Sequence, residues 1–176
     1  MSANKRWARG FTLVEILIVV VILGILAAIV IPQFTSASET AKASSLVSQL
    51  QTIRSQLELF QVQHNGNYPG QNGIASLIAA SSNGINWNVM TNETDENGII
   101  ETGNSFGPYL QQAPANPFYT GTASTDVADI SGGDAYSAIG WGYNPDTGEI
   151  KAMVPGTINA TDVGLTNNND IIYAGS

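Results

Sequence analysis

Few residues in this chain have the type and spacing to do chemistry. Asp146-Thr147-Gly148 spells the triplet of aspartic proteases, where two carboxylates share one proton. The chain holds that triplet once, and Asn144 to Glu149, with Pro145 and Gly148, reads more simply as the polar turn of a hairpin. His64 is the sole histidine and falls where a helical pattern ends, a place that favours partial positive charge. It reads as a cap or surface residue rather than a base or ligand. Asp126, Asp129 and Asp134, with Ser124, Ser131 and Gly132-Gly133, make an oxygen-rich loop of the kind that supplies calcium with its roughly 6–8 oxygen ligands. Their spacing is not that of an EF-hand, and a solvated acidic loop explains the same residues. Glu93, Asp95, Glu96 and Glu101 surround Asn97-Gly98 and read as an exposed turn. With no cysteine, the chain has no disulfide, thiolate metal site or cysteine nucleophile. No convergent reactive set emerges, which argues against an enzyme.

The remaining ionisable oddity is Glu15. From Phe11 to Ile31 run 21 residues with no other charge. At about 1.5 Å per residue they match a hydrocarbon core of about 30 Å. A charge near the end of such a helix costs on the order of 1–3 kcal/mol unless it is partnered or lies at the interface. Lys5, Arg6 and Arg9 supply three of the six basic side chains and precede the run. The positive-inside rule therefore keeps the N-terminus cytoplasmic and places the remainder across the membrane. Beyond residue 10, three basic side chains face fourteen acidic ones, a balance of −11. Such a body has no basic patch for phosphates, so no nucleic-acid partner is expected. An ordinary secretory signal cut near Ala27-Ala28 is the competing reading. Against it, the apolar run continues to Ile31 and carries Glu15 where a plain signal would be uncharged.

Gly10-Phe11-Thr12-Leu13-Val14-Glu15 resembles the class III signal of type IV pilins and of the pseudopilins of type II secretion. Gly24 and Pro32 also fall where that pattern puts them. The resemblance implies cleavage between Gly10 and Phe11 by a prepilin peptidase, methylation of the new Phe11 amine, and a filament in which Glu15 pairs with that amine on another copy. Physically, pairing a poorly solvated carboxylate with a poorly solvated ammonium removes both desolvation penalties together. The same pair made within one chain is the bland alternative, and the residues alone do not separate the two. Residues 67–78 (NYPGQNGIASLI) and 107–118 (GPYLQQAPANPF) are similar to parts of the major pseudopilin head. The implied partners are copies of the chain itself, the peptidase and methyltransferase, an inner-membrane assembly platform and minor pseudopilins, with lipid around the helix before assembly. The implied location is a bacterial inner membrane with a periplasmic head, then a periplasmic or surface filament. Calcium in a C-terminal loop is frequent among secretion pseudopilins, and Asp126, Asp129 and Asp134 are the candidates here. The alternatives are a pilin of a surface pilus for adhesion, motility or DNA uptake, and a single-pass anchored binding protein.

The elements that must position these residues follow from periodicity. Val19 to Ile22 are β-branched, Gly24 costs about 1 kcal/mol relative to alanine, and Pro32 removes the hydrogen bond to Ala28. The helix should be weakest between Gly24 and Pro32, most simply as a kink; the resemblance to related filaments implies instead a stretch that loses helicity on assembly. After Pro32, Ala43, Leu46, Leu50, Ile53, Leu57 and Phe60 recur at alternating spacings of three and four, which predicts an amphipathic helix. Asn65-Gly66 and Pro69 end it near His64. Residues 65–135 read as loops with one helical island from Gly73 to Ala80. Tyr136 to Tyr143 and Ile150 to Val154 predict a hairpin, and Ile171 to Ala174 a short strand. The expected architecture is α+β and pilin-like: leader 1–10, membrane helix 11–31, amphipathic helix 32–64, loop region 65–135 and hairpin segment 136–176, with the long helix on a small antiparallel sheet.

Overall fold

The computed structural model describes residues 10–77, 87–101, 103, 105–132, 139–158, 161, 165 and 170–174. By its internal contacts the chain divides into two units, Met1–Ser38 and Glu39–Ser176. Helix α1, Leu13–Gln63, is continuous and belongs in part to each.

In the first unit every leucine, isoleucine, valine and phenylalanine from Phe11 to Phe34 stands exposed. The helix is long and apolar enough to cross a membrane. Helix geometry is unbroken through Gly24 and Pro32. The turn around the proline has hydroxyls bonded to its carbonyls: Thr35 Oγ1 donates to Ile31 O at 3.3 Å and Ser36 Oγ to Gln33 O at 3.1 Å.

In the second unit α1 buries the stripe that the spacing predicts: Ala43, Leu46, Leu50, Ile53, Leu57 and Phe60. These join Trp141, Tyr143, Ile150, Ala152, Val154 and Ile171 in one hydrophobic core. The helix stops as Asn65 and Gly66 turn left-handed, φ 56° and 83°. Gly66 N–H then donates to Gln61 O at 2.9 Å, the 6→1 bond of a Schellman end.

His64 is not a surface cap, as the sequence suggested. It is fully buried and stacks on Phe60 with ring centroids 3.7 Å apart. Its Nδ1 lies 2.8 Å from Phe60 O, which only accepts, so Nδ1 carries the proton there. Nε2 lies 3.0 Å from Thr94 Oγ1. The loop around Thr94, far away in sequence, covers the helix end and takes the histidine into the core.

Among the described residues four strands form one sheet in the order β1-β2-β3-β4: β1 Val127–Asp129, β2 Trp141–Tyr143, β3 Ile150–Pro155 and β4 Ile171–Ala174. The β2–β3 hairpin is antiparallel, pairing Trp141 with Ala152 and Tyr143 with Ile150. The outer pairings, β1 with β2 and β3 with β4, are parallel, so the sheet is mixed where an antiparallel one was expected. A six-residue turn permits only antiparallel return, whereas the longer connections before β2 and after β3 allow a crossover. The first strand of the hairpin is shorter than predicted and starts at Trp141; 136–138 lie outside the described residues. β1 lies inside the region read as loop. Residues 73–77 of the predicted helical island are turn and coil, and 78–80 lie outside the described residues. A four-residue helix α2, Asn88–Thr91, occurs instead, docked through buried Val89 and Met90.

Two tethers hold the sheet in place. Arg54 of α1 pairs with Asp170 and donates to Ile150 O at 3.0 Å, tying the helix to β3 and to the residue before β4. Asn116, fully buried, donates from Nδ2 to Gly140 O at 2.7 Å and to Met153 O at 2.8 Å, while its Oδ1 accepts Phe118 N–H at 3.0 Å. In the hairpin turn Gly148 has φ 72°, and a Cβ there would sit 2.5 Å from the Tyr68 ring. Gly148→Ala is expected to cost about 2 kcal/mol through left-handed strain and the ring clash. Urea unfolding of the full chain in detergent, followed by near-ultraviolet dichroism, reads that loss; an unchanged midpoint would contradict the packing.

Candidate functional site

Glu15 lies in the first turn of α1, and a residue the sequence reading passed over holds it there. Thr12 is the N-cap. Its Oγ1 accepts Glu15 N–H at 3.2 Å, while Thr12 N–H donates to Glu15 Oε2 at 2.7 Å. This reciprocal exchange is a capping box, Thr-x-x-Glu. The Thr12 hydroxyl also donates to Oε2, at 2.9 Å. Two of the four orphan N–H groups of the helix start are thereby satisfied, and the carboxylate sits at the positive end of the helix dipole. The sequence signal was legible: a threonine three residues before a glutamate at the head of an apolar run.

Phe11 precedes the cap and is 81% exposed, and Gly10 before it has open space around its α-carbon. The backbone on both sides of the Gly10–Phe11 bond is non-helical, since helix begins at Leu13. The Gly10–Phe11 bond thus stands immediately ahead of a capped helix. Gly24 and Pro32 lie farther along the same helix and contribute no group to this site.

The other candidates are placed as turns. Asp146 N–H donates to Asn144 Oδ1 at 2.9 Å and Glu149 N–H to Thr147 Oγ1 at 3.2 Å, within the exposed β2–β3 turn. Gln71 Nε2 donates to Asp146 O at 2.7 Å from outside the hairpin. Asp129 ends β1, and its Oδ1 accepts Ser131 N–H at 2.8 Å. Asp126 is half-buried, its main-chain oxygen accepting Trp141 N–H at 3.0 Å. Asp134 lies outside the described residues. Among the described residues no three histidine, cysteine, aspartate or glutamate side chains gather as metal ligands. In the acidic turn, Asp95 Oδ1 accepts Asn97 N–H at 2.9 Å and Ile99 N–H at 2.8 Å. Those bonds, the Ile99 one foremost, hold its carboxyl below the usual carboxylate range.

The profile described as the prokaryotic N-terminal methylation motif matches residues 8–31, which contain Gly10, Phe11, Thr12 and Glu15. The type II secretion system core protein G of Pseudomonas aeruginosa is 39% identical over 89 residues, covering 48% of this chain and 62% of that protein. Its counterpart in Escherichia coli K12 is 38% identical over 73 residues, 41% of this chain and 50% of that protein. This chain thus spans between half and two thirds of the length of those two secretion proteins. The type IV narrow pilus major component of Thermus thermophilus is 33% identical over 87 residues, 49% of this chain and 75% of that protein. No solved structure matches.

Proposed function

Because this chain belongs to the type IV pilin-like family, we propose that it is a structural, non-catalytic filament subunit, the major pseudopilin of a type II secretion system. The observation that carries the reading is the capped Glu15 at the head of an exposed apolar helix, directly after a Gly10–Phe11 bond. A prepilin peptidase cuts that bond on the cytoplasmic side, and methylation follows at the Phe11 amine. The chain waits in the inner membrane with its head in the periplasm. Copies then assemble through their N-terminal helices, the Phe11 amine of one meeting Glu15 of another, upon an assembly platform with minor pseudopilins. In the assembled filament, Gly24 to Pro32 is the stretch expected to lose helicity.

The first test is mass spectrometry of the membrane-extracted N-terminus. The expected product begins at N-methylated Phe11; an intact Met1, or a cut near Ala28, would sink the filament reading. A second reading, the pilin of a surface pilus, is favoured by the coverage of the Thermus pilus component. Co-expression with each kind of assembly apparatus separates the two. Periplasmic filaments and restored exoprotein release with the secretion apparatus support the pseudopilin; surface pili with the pilus apparatus alone support the pilin.

A further inference from the structure

A carboxylate offers two oxygens and about four lone-pair positions. In Glu15 one oxygen is filled from within the chain. Oε2 takes the Thr12 N–H at 2.7 Å and the Thr12 hydroxyl at 2.9 Å, while among the described residues nothing donates to Oε1. The hydroxyl is itself fixed from both sides, because it gives its proton to Oε2 and accepts Glu15 N–H at 3.2 Å. Three bonds between the same two residues leave the carboxylate little freedom to turn.

We propose that Thr12 is a positioning residue for subunit contact: it fills Oε2 and leaves Oε1 as the acceptor for the Phe11 ammonium of a neighbouring copy. This rests on the filament reading above and adds to it a second residue with a defined part. The valences agree. A singly methylated ammonium keeps two N–H groups, and Oε1 keeps two lone pairs, so the pair closes with no polar atom left over in an apolar surrounding. Thr12 also explains how Glu15 is accommodated before cleavage. The carboxylate already has donors while the partner amine does not yet exist, and it does not have to be released from Thr12 when that amine arrives.

The test uses the full chain with its peptidase and assembly apparatus. Thr12→Val keeps the β-branched shape and removes the hydroxyl; Thr12→Ser keeps the hydroxyl. Both should insert, be cut and be methylated as the wild type, with unchanged helicity by far-ultraviolet dichroism. Filament yield should fall about tenfold for Thr12→Val, the effect of one lost hydrogen bond to a charged group, and return to near wild type for Thr12→Ser. In detergent-held monomer the ¹³C resonance of the Glu15 carboxyl should move in Thr12→Val and stay in Thr12→Ser. Wild-type yield from Thr12→Val, or an unmoved carboxyl resonance, would overturn the proposal. If the wild type itself makes no filament with either apparatus, the filament reading fails. The carboxyl resonance then still decides whether Thr12 holds Glu15.

Discussion

Glu15→Ala is expected to leave the chain inserted, cut and methylated, and to lower filament yield by a factor on the order of 100 or more. The reason is asymmetric. Removing one member of a poorly solvated ion pair leaves the other buried and unpaired, which costs about 3–5 kcal/mol, against less than 1 kcal/mol for an exposed pair. In the proposed filament the same contact recurs at every subunit, so the loss is imposed at each addition. Alanine also strips the Thr12 N–H and hydroxyl of their acceptor, but that fault lies within one subunit and affects the first turn only. Sheared filaments quantified by immunoblot against total membrane protein give the measurement. Wild-type yield from Glu15→Ala would refute the intermolecular pair, and a chain lost from the membrane fraction would move the role of Glu15 to insertion.

In the second unit the largest expected loss is at Asn116. Asn116→Asp should destabilise the fold by about 3–5 kcal/mol and lower the melting temperature by on the order of 10 °C. Both Nδ2 protons point at carbonyls, Gly140 O at 2.7 Å and Met153 O at 2.8 Å, in a fully buried position. A carboxylate there would set negative oxygen against two carbonyl oxygens. Asn116→Ala leaves orphaned groups without the repulsion and should cost less, about 2–3 kcal/mol. Thermal unfolding of the full chain in detergent, followed at the near-ultraviolet tryptophan bands, reads both, since Trp141 donates to Pro114 O at 3.0 Å beside this staple. Equal melting temperatures for the aspartate variant and the wild type would show that the amide is dispensable.

Much of α1 was legible because its determinants are periodic and local. The buried stripe from Ala43 to Phe60 is the set the spacing selects, and Asn65-Gly66 stops the helix where left-handed residues should. The turn from Asn144 to Glu149 followed from Pro145 and Gly148 in the same way. The capping box is also written locally, as a threonine three residues before a glutamate. His64 was misplaced for a different cause: its exposure depends on a loop thirty residues away, through Thr94. The staple at Asn116 was visible only as an Asn-Pro pair in a loop-rich stretch, because its acceptors lie 24 and 37 residues downstream.

By itself, then, the amino-acid order determined a membrane-length helix with a charge at its head, a glycine just before it, an amphipathic continuation and one hairpin. Each is encoded by neighbours within a turn or two, where sterics, capping and apolar spacing act directly. Tertiary structure decided which way the outer strands run, that His64 is core, and that Arg54 and Asn116 hold the sheet. The sheet and its tethers depend on pairings between residues up to 116 apart, as with Arg54 and Asp170, and no local pattern records which distant groups will meet. Within the first turn, the filling of Glu15 Oε2 depends on side-chain geometry between Thr12 and Glu15 that residue types alone leave undetermined.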